Sequence, residues 1–248
     1  MILKDKIALV TGTSRGIGKE IVKRFVEEGS NVYAHARKES DEHRMFCDDL
    51  SIKYNVNVVP IYFDFSDYQQ IKDKISSIYK DIQNISILVN NVSIMSQYKM
   101  FQMTNINDIK SCFDINFFSQ IYIMQLISKL MIKNKFGSIV NITSVAGLDG
   151  TGELAYVTSK SAIASATKQL AIELGNYNIR VNAVAPGLTN TDMGNSLTED
   201  SINMTLAHQV LSKKAETLDI ANAILFLASD MASHITGQIL RVDGGMLK

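Results

Sequence analysis

The sequence predicts an α/β protein: a single Rossmann-type domain over residues 1–248, with a doubly wound parallel sheet of seven strands and helices on both faces. Three observations predict it. Short β-branched runs alternate with longer amphipathic stretches almost from end to end. A glycine-rich turn, Thr11-Gly12-Thr13-Ser14-Arg15-Gly16-Ile17-Gly18, joins the first run to the first helix. The 248 residues, 46% of them apolar, contain no Pro/Gly/Ser linker, repeat or low-complexity tract that would divide them.

The elements follow in order. Residues 6–10 read as a buried strand, and residues 17–28 carry Ile17, Ile21, Val22 and Phe25 at helical spacing until Gly29 stops them. Residues 31–35 form the second strand, and the polar stretch 39–54 a surface helix. A third strand is expected over 56–63 and a third helix over 68–82. Residues 86–90, short and apolar, suit a parallel strand covered on both faces. One long helix is expected over 106–133, with Gly137 ahead of a strand over 138–142. A helix over 154–175 leads to a strand over 179–184, after which Pro186-Gly187 breaks the chain. The polar stretch 189–214 is either a substrate lid or an ordinary loop with a short helix. A helix over 217–227 and a strand over 237–242 complete the count.

Composition narrows the chemistry. The 25 basic residues balance 25 acidic ones, and zero formal charge argues against nucleic-acid binding, which draws on a basic excess. Cys47 and Cys112 are too few for a disulfide scaffold and wrongly spaced for a metal site, so no metal is expected. The opening Met1-Ile2-Leu3-Lys4-Asp5-Lys6 lacks the apolar core of a signal peptide. No apolar run is expected to reach the ~18 residues that span a bilayer. A soluble, cytoplasmic globular protein without a membrane partner is the expectation.

The glycine loop has a physical use. Chain reversal needs positive φ, which glycine accepts without a Cβ clash. A second glycine lets a pyrophosphate approach the backbone, and the N–H groups at the helix start attract the anion. The spacing Gly12-xxx-Gly16-x-Gly18 differs from the Gly-x-Gly-xx-Gly fingerprint, so a ligand-free glycine turn is the plain alternative. After the second strand, in Tyr33-Ala34-His35-Ala36-Arg37-Lys38, no acid stands where an NAD site places one for the ribose 2′-hydroxyl. Arg37, with Arg15 from the other side, is suited to fork onto a 2′-phosphate, which favours NADP(H) over two merely solvated charges.

Tyr156 and Lys160 stand at i and i+4 of one helix and share a face. A phenol has an ordinary pKa of ~10, and a neighbouring cation is expected to lower it toward the working range of proton transfer. Ser144 ends the fifth expected strand, at the sheet edge where open parallel sheets bind ligands, and its hydroxyl is suited to meet a carbonyl beside the phenol. Asn116 is a polar residue inside the apolar stretch of the long helix. It serves either as a structural hydrogen-bond partner or as the anchor of a water-held proton relay.

With these motifs in order, the chain resembles the short-chain dehydrogenase/reductase family across essentially its whole length. Thr11 to Gly18 matches the family's Thr-Gly-xxx-Gly-x-Gly loop, and Asn90-Asn91 its Asn-Asn-Ala-Gly segment. Asn116, Ser144, Tyr156 and Lys160 match its catalytic tetrad. Pro186-Gly187, Ile235-Thr236-Gly237-Gln238 and Asp243-Gly244-Gly245 match further landmarks. Within the family it is most similar to the NADPH-dependent 3-oxoacyl-[acyl-carrier-protein] reductases. The resemblance implies that Tyr156 donates a proton to the carbonyl oxygen, Ser144 orients that carbonyl, and Lys160 holds the nicotinamide ribose. Asn116 would anchor a water chain to Lys160. The cofactor site implied is Gly12, Ser14, Arg15, Gly16, Ile17, Gly18, Arg37, Asp64, Phe65, Asn91, Tyr156, Lys160, Pro186, Gly187 and Thr189, for NADP(H).

A homotetramer built through the two long helices is also implied, with Phe117, Phe118, Tyr122 and Met124 as its apolar face unless they pack inside the monomer. Two departures stand out. Val92-Ser93 adds side-chain bulk where the family's backbone runs beside the cofactor. Tyr177 replaces an arginine often found in carrier-protein reductases, leaving Lys135 as the basic residue expected near the active-site mouth. The expected substrate is a 3-oxoacyl-[acyl-carrier-protein]. The alternatives are a sugar, polyol or other small carbonyl compound, or a nucleotide-binding regulator without turnover.

Overall fold

Strands β1 (Ile7–Val10), β2 (Asn31–Ala36), β3 (Val58–Tyr62), β4 (Ile87–Asn90), β5 (Gly137–Ile142), β6 (Ile179–Pro186) and β7 (Ile239–Val242) lie in the order β3-β2-β1-β4-β5-β6-β7. Every neighbouring pair is parallel. The computed structural model describes residues 1–81, 84–96 and 98–246. Strand order reverses between β1 and β4, so a crevice opens beyond their carboxyl ends, where such sheets hold ligands. All residues of β4 and β5 are buried, as continuous apolar runs covered on both faces must be.

Alternation along β1 feeds two cores. Ala8 and Val10 join Ile21, Phe25, Val184 and Ile224 under α1 (Gly16–Glu27) and the helix Thr217–Ala228. Leu9 points the other way, to Leu88, Ile127, Ile139 and Val181. Along α1 the buried Ile21, Val22, Phe25 and Val26 make one stripe, and Gly29 at φ 85° ends the helix.

Other bounds move by one or two residues. Helix α2 (Asp41–Tyr54) starts only after Ser40 accepts a hydrogen bond from the His43 N–H, and Asn55 in the left-handed region delays β3 to Val58. Helix α3 spans Tyr68–Asp81, and the expected last residue, Ile82, lies outside the described residues. β7 begins two residues later than expected because Gly237, at φ 72°, turns the chain and donates to Val181 O.

The long helix runs from residue 106 to residue 134 with an interruption. Helix α4 (Ile106–Phe113) passes through a π-turn (Asp114–Phe118) into α5 (Ser119–Asn134). This wider turn carries Asn116 into the interior and leaves Phe118 half exposed. Of the expected oligomer face, Met124 is buried in the monomer, and Tyr122 packs on Tyr68. Contrary to the sequence expectation, this helix is long and apolar enough to cross a membrane by length and hydropathy alone. Its Ile123, Met124, Ile127 and Met131 are nevertheless buried against the sheet and α3, as in a core helix.

Beyond β5 come α6 (Val145–Asp149) and α7 (Leu154–Gly175). The stretch 189–214 holds two short helices, α8 (Asp192–Asn195) and α9 (Glu199–Ala207), capped by the hydroxyls of Thr191 and Thr198. The base of this stretch is stitched to the chain's last described residues, through Val210 N–H to Gly245 O and Leu211 N–H to Gly244 O. Helix α10 (Thr217–Ala228) then covers β5 and β6.

Candidate active site

The loop between β1 and α1 is shaped by its glycines. Gly12 and Gly16 adopt φ of 72° and 57°, and a Cβ on Gly18 would lie 2.0 Å from Gly12 O. The Asn91 amide braces the turn by donating to Thr11 O at 2.8 Å and to Gly12 O at 3.0 Å, so this expected cofactor residue acts here on the loop itself. His35, which the sequence did not single out, clamps the loop from β2. Its Nδ1 accepts the Gly12 N–H at 3.1 Å, which leaves Nε2 to donate to Phe63 O at 2.9 Å. Burial pushes its pKa down to about 4, so the ring is neutral near pH 7.

The N-cap residue of α1, Arg15, makes no side-chain cap, and the first helical turn carries no acid. The helix start therefore presents N–H groups to an anion. A Cβ on Gly16 would meet only Thr191 Cγ2 within 4 Å, at 3.7 Å, so the cradle is open. A dinucleotide's pyrophosphate fits these residues. Ser14 is exposed beside them, while Ile17 packs inward on the core.

Arg15 and Arg37 are both exposed, but Arg15 is not left facing a ligand alone. The Arg15 guanidinium instead pairs with Asp192 of α8 at 2.9 Å, with both side chains largely exposed. Such a pair is worth about 1 kcal/mol or less, so a phosphate can compete for the arginine. Arg37 is exposed immediately after β2. Asp64 accepts from the N–H and hydroxyl of Ser66, and these bonds hold its carboxyl below the ordinary range, led by the backbone bond. Phe65 is buried and stacks on Phe63.

At the neighbouring edge, β5 stops at Ile142, and Ser144, rather than ending the strand, caps α6 by accepting the Ala146 N–H. Glu153 caps α7 through the N–H groups of Ala155 and Tyr156. This cap fixes the first turn of the helix that carries the tyrosine. Tyr156 is hydrogen-bonded to the Ser144 hydroxyl. Lys160 is buried, donates to Ile142 O at 2.8 Å, and holds its Nζ 5.7 Å from the centre of the Tyr156 ring. Ser144, Tyr156 and Lys160 are thus brought together.

The electrostatics differ from the sequence expectation. Burial pushes the Tyr156 phenol up, and the Ser144 hydrogen bond opposes this only in part. Burial also pulls Lys160 down to about 8. The ammonium gives up its proton before the phenol would ionise, so its charge is gone where it would help.

The Asn116 amide is engaged in hydrogen bonds within the protein. Its Oδ1 accepts the Ile94 N–H and its Nδ2 donates to Ile94 O, both at 2.8 Å, with Ser159 Oγ at 3.1 Å. A relay through this amide would have to displace one of these bonds. Beyond β6, which Pro186 ends, Gly187 allows Asp243 to approach: a Cβ there would sit 2.7 Å from Asp243 Cα. Thr189 is buried, and its hydroxyl donates to Gly187 O. Lys135 does not sit at this mouth. It ends α5 ahead of β5, joined to Asn178 ahead of β6, at the opposite, amino edge of the sheet. Tyr177 adjoins it there.

Arg241 of β7 is a feature the sequence reading missed. It forks onto Asp149 at the end of α6 at 2.8 and 2.7 Å and reaches Asp243 at 2.8 Å. The bonds to Asp149 lead in keeping its guanidinium above the usual range. Asp243 in turn accepts the Gly245 N–H, so the helix begun at Ser144 is joined to the segment beneath the 189–214 stretch. Arg241→Met removes the guanidinium that the part-buried Asp149 and the buried Asp243 share. We expect a loss of about 2 kcal/mol, near 5 °C in Tm, with partial recovery in Arg241→Lys, read by calorimetry.

A family model described as Enoyl-(Acyl carrier protein) reductase matches residues 12–247. The chain belongs to the short-chain dehydrogenase/reductase family. As a short-chain dehydrogenase/reductase it is an oxidoreductase of a family that binds a nicotinamide cofactor. The 3α-hydroxysteroid dehydrogenase of Mediterraneibacter gnavus is 38% identical over 98% of each chain. The 3-oxoacyl-[acyl-carrier-protein] reductase of Chlamydia muridarum is 37% identical over 99% of this chain and 98% of its own. A crystal structure of a Brucella melitensis 3-oxoacyl-[acyl-carrier protein] reductase with bound NAD superposes with TM-score 0.90 at 28% identity, covering 100% of this chain and 93% of that one.

Proposed function

We propose that the chain is an NADPH-dependent reductase converting a ketone to a secondary alcohol, with a 3-oxoacyl-[acyl-carrier-protein] as substrate. The observation that carries the chemistry is the cluster of Ser144, Tyr156 and Lys160 at the carboxyl edge of the sheet. The reductases among its relatives support the substrate. The absence of an acid at residues 33–38, with Arg37 exposed there and Arg15 weakly held, supports NADPH.

In this reading the Ser144 and Tyr156 hydroxyls bind the carbonyl oxygen, and Tyr156 Oη gives it a proton as negative charge develops. Lys160 holds the nicotinamide ribose, while the Gly12–Gly18 loop and α1 hold the pyrophosphate. The bound cofactor supplies the hydride. The whole chain acts as one cofactor-binding domain with residues 189–214 as lid. It works in the cytoplasm as a homotetramer, in which the exposed Phe118 and Ile172 of the two long helices are covered.

A second reading keeps the chemistry and takes a bulky apolar ketone or alcohol of steroid size. After β4 the exposed Tyr98, Met100, Phe101 and Met103 offer an adaptable apolar surface at the ligand edge. One relative is named a hydroxysteroid dehydrogenase. Purified protein, NADPH and a panel of acetoacetyl thioesters, 3-oxosteroids, ketoses and polyols decide between them. Turnover of the thioesters is expected. Turnover of steroids alone or sugars alone would remove the acyl reading, and none on any substrate would point to a regulator.

A further inference from the structure

The hydroxyls proposed to meet the carbonyl and the turn proposed to face the cofactor belong to separate units of the fold. Ser144 begins α6, and α6 lies directly on α7, the helix of Tyr156. A Cβ on Gly147 would sit 2.7 Å from Lys160 Cβ, and Ser161 Oγ donates to Gly147 O. The Ser144 and Tyr156 hydroxyls are therefore placed as one unit. The second unit is the turn after β6. Gly187 N–H donates to Val242 O of β7 at 2.9 Å, and Thr189 Oγ1 donates to Gly187 O at 3.0 Å. The base of the 189–214 stretch joins this unit through Gly244 and Gly245.

One guanidinium spans the two. Arg241 donates to both carboxylate oxygens of Asp149, the last residue of α6, and its Nε donates to Asp243, whose backbone crowds Gly187. A forked arginine fixes direction as well as distance, because its donors lie in one rigid plane. A helix of five residues has little stability of its own, so the grip on its last residue bears on how its first, Ser144, is held. Asp243 is buried and also accepts the Gly245 N–H, which anchors the other end of the span.

We infer that Arg241 is a positioning residue for the reduction proposed above, on which this inference rests: by holding α6 against β7 and the turn after β6, it sets the Ser144 and Tyr156 hydroxyls in register with the bound cofactor. Arg241 acts through Asp149 and Asp243 and not on the substrate. Hydride and proton must reach one carbonyl group together, so a small shift between the two units slows transfer without emptying either binding site.

Three variants test it with the ketone that the substrate panel turns over: Arg241→Met, Arg241→Lys and the double variant Arg241→Met/Asp149→Leu. The last sets two apolar side chains where the ion pair was, which restores Tm without restoring the fork. Well below the melting transition and at saturating NADPH, kcat is expected to fall about 10-fold in Arg241→Met and in the double variant. Arg241→Lys is expected to return it to within about threefold of the wild type, and the NADPH Kd to stay within about twofold throughout. With NADPH deuterated at the transferred position, the isotope effect on kcat is expected to rise in Arg241→Met, as hydride transfer becomes the slow step. Recovery of kcat together with Tm in the double variant would overturn the inference, because stability alone would then account for the loss. So would an unchanged kcat and isotope effect in Arg241→Met. A wild type that turns over no ketone would instead overturn the proposed function itself.

Discussion

Tyr156→Phe is expected to lower kcat/KM for ketone reduction by about 10³-fold while leaving the NADPH Kd within about twofold. The substitution removes one oxygen and keeps the ring, so the packing of α7 and the cap from Glu153 to the Tyr156 N–H are preserved. What is lost is the proton donor and its hydrogen bond to Ser144. The structure adds a sign to the pH profile. Burial holds the phenol above its ordinary value, so it stays protonated, and competent to donate, across neutral pH. Reduction should therefore fall only on the alkaline side. Steady-state rates over a pH series, with NADPH binding measured separately, check both statements. Wild-type rates in the phenylalanine variant would remove the phenol from the mechanism.

Lys160→Met is expected to lose at least about 10²-fold in activity and yet to melt higher than the wild type at pH 7. The wild-type ammonium is buried, and its pKa of about 8 lies below the ordinary 10.5. The unfolded chain thus binds that proton more tightly than the native state does. Below pH 8 the full cost, on the order of 3 kcal/mol, weighs on the fold. It fades as pH rises from about 8 to 10.5. Methionine fills similar volume without charge but strands Ile142 O, which returns about 1 kcal/mol. The net gain is about 2 kcal/mol, near 5 °C in Tm, shrinking toward pH 10. Calorimetry at pH 7 and pH 10 reads it. A lower Tm at pH 7 would show that the bond to Ile142 outweighs desolvation.

Much of the fold was legible because a strand covered on both faces has to be short and apolar, as Ile87-Leu88-Val89-Asn90 is. Spacing also placed Tyr156 and Lys160 on one helical face, and chain distance brought Ser144 near. What escaped the sequence depends on partners far along the chain. His35 looks like any strand residue until Gly12, 23 positions away, donates to its ring. That Arg15 meets Asp192, 177 positions away, has no local signal either. Lys135 follows an α5 that returns the chain to the sheet's amino edge, a geometry that linear neighbours do not disclose. The acidity of Tyr156 was misjudged for a related reason: a sequence shows which charge is near but not how dry the site is.

The wide turn at Asp114–Phe118 sets the azimuth of everything after it. Winding the same residues as a regular α-helix, without the wide turn, would swing α5 by about 100° about its axis. Ile123, Ile127 and Met131 would leave the sheet for water, and the polar flank would face the core. The irregular turn works as a gear between two meshing surfaces, α4 against α7 and α5 against β4 and β5.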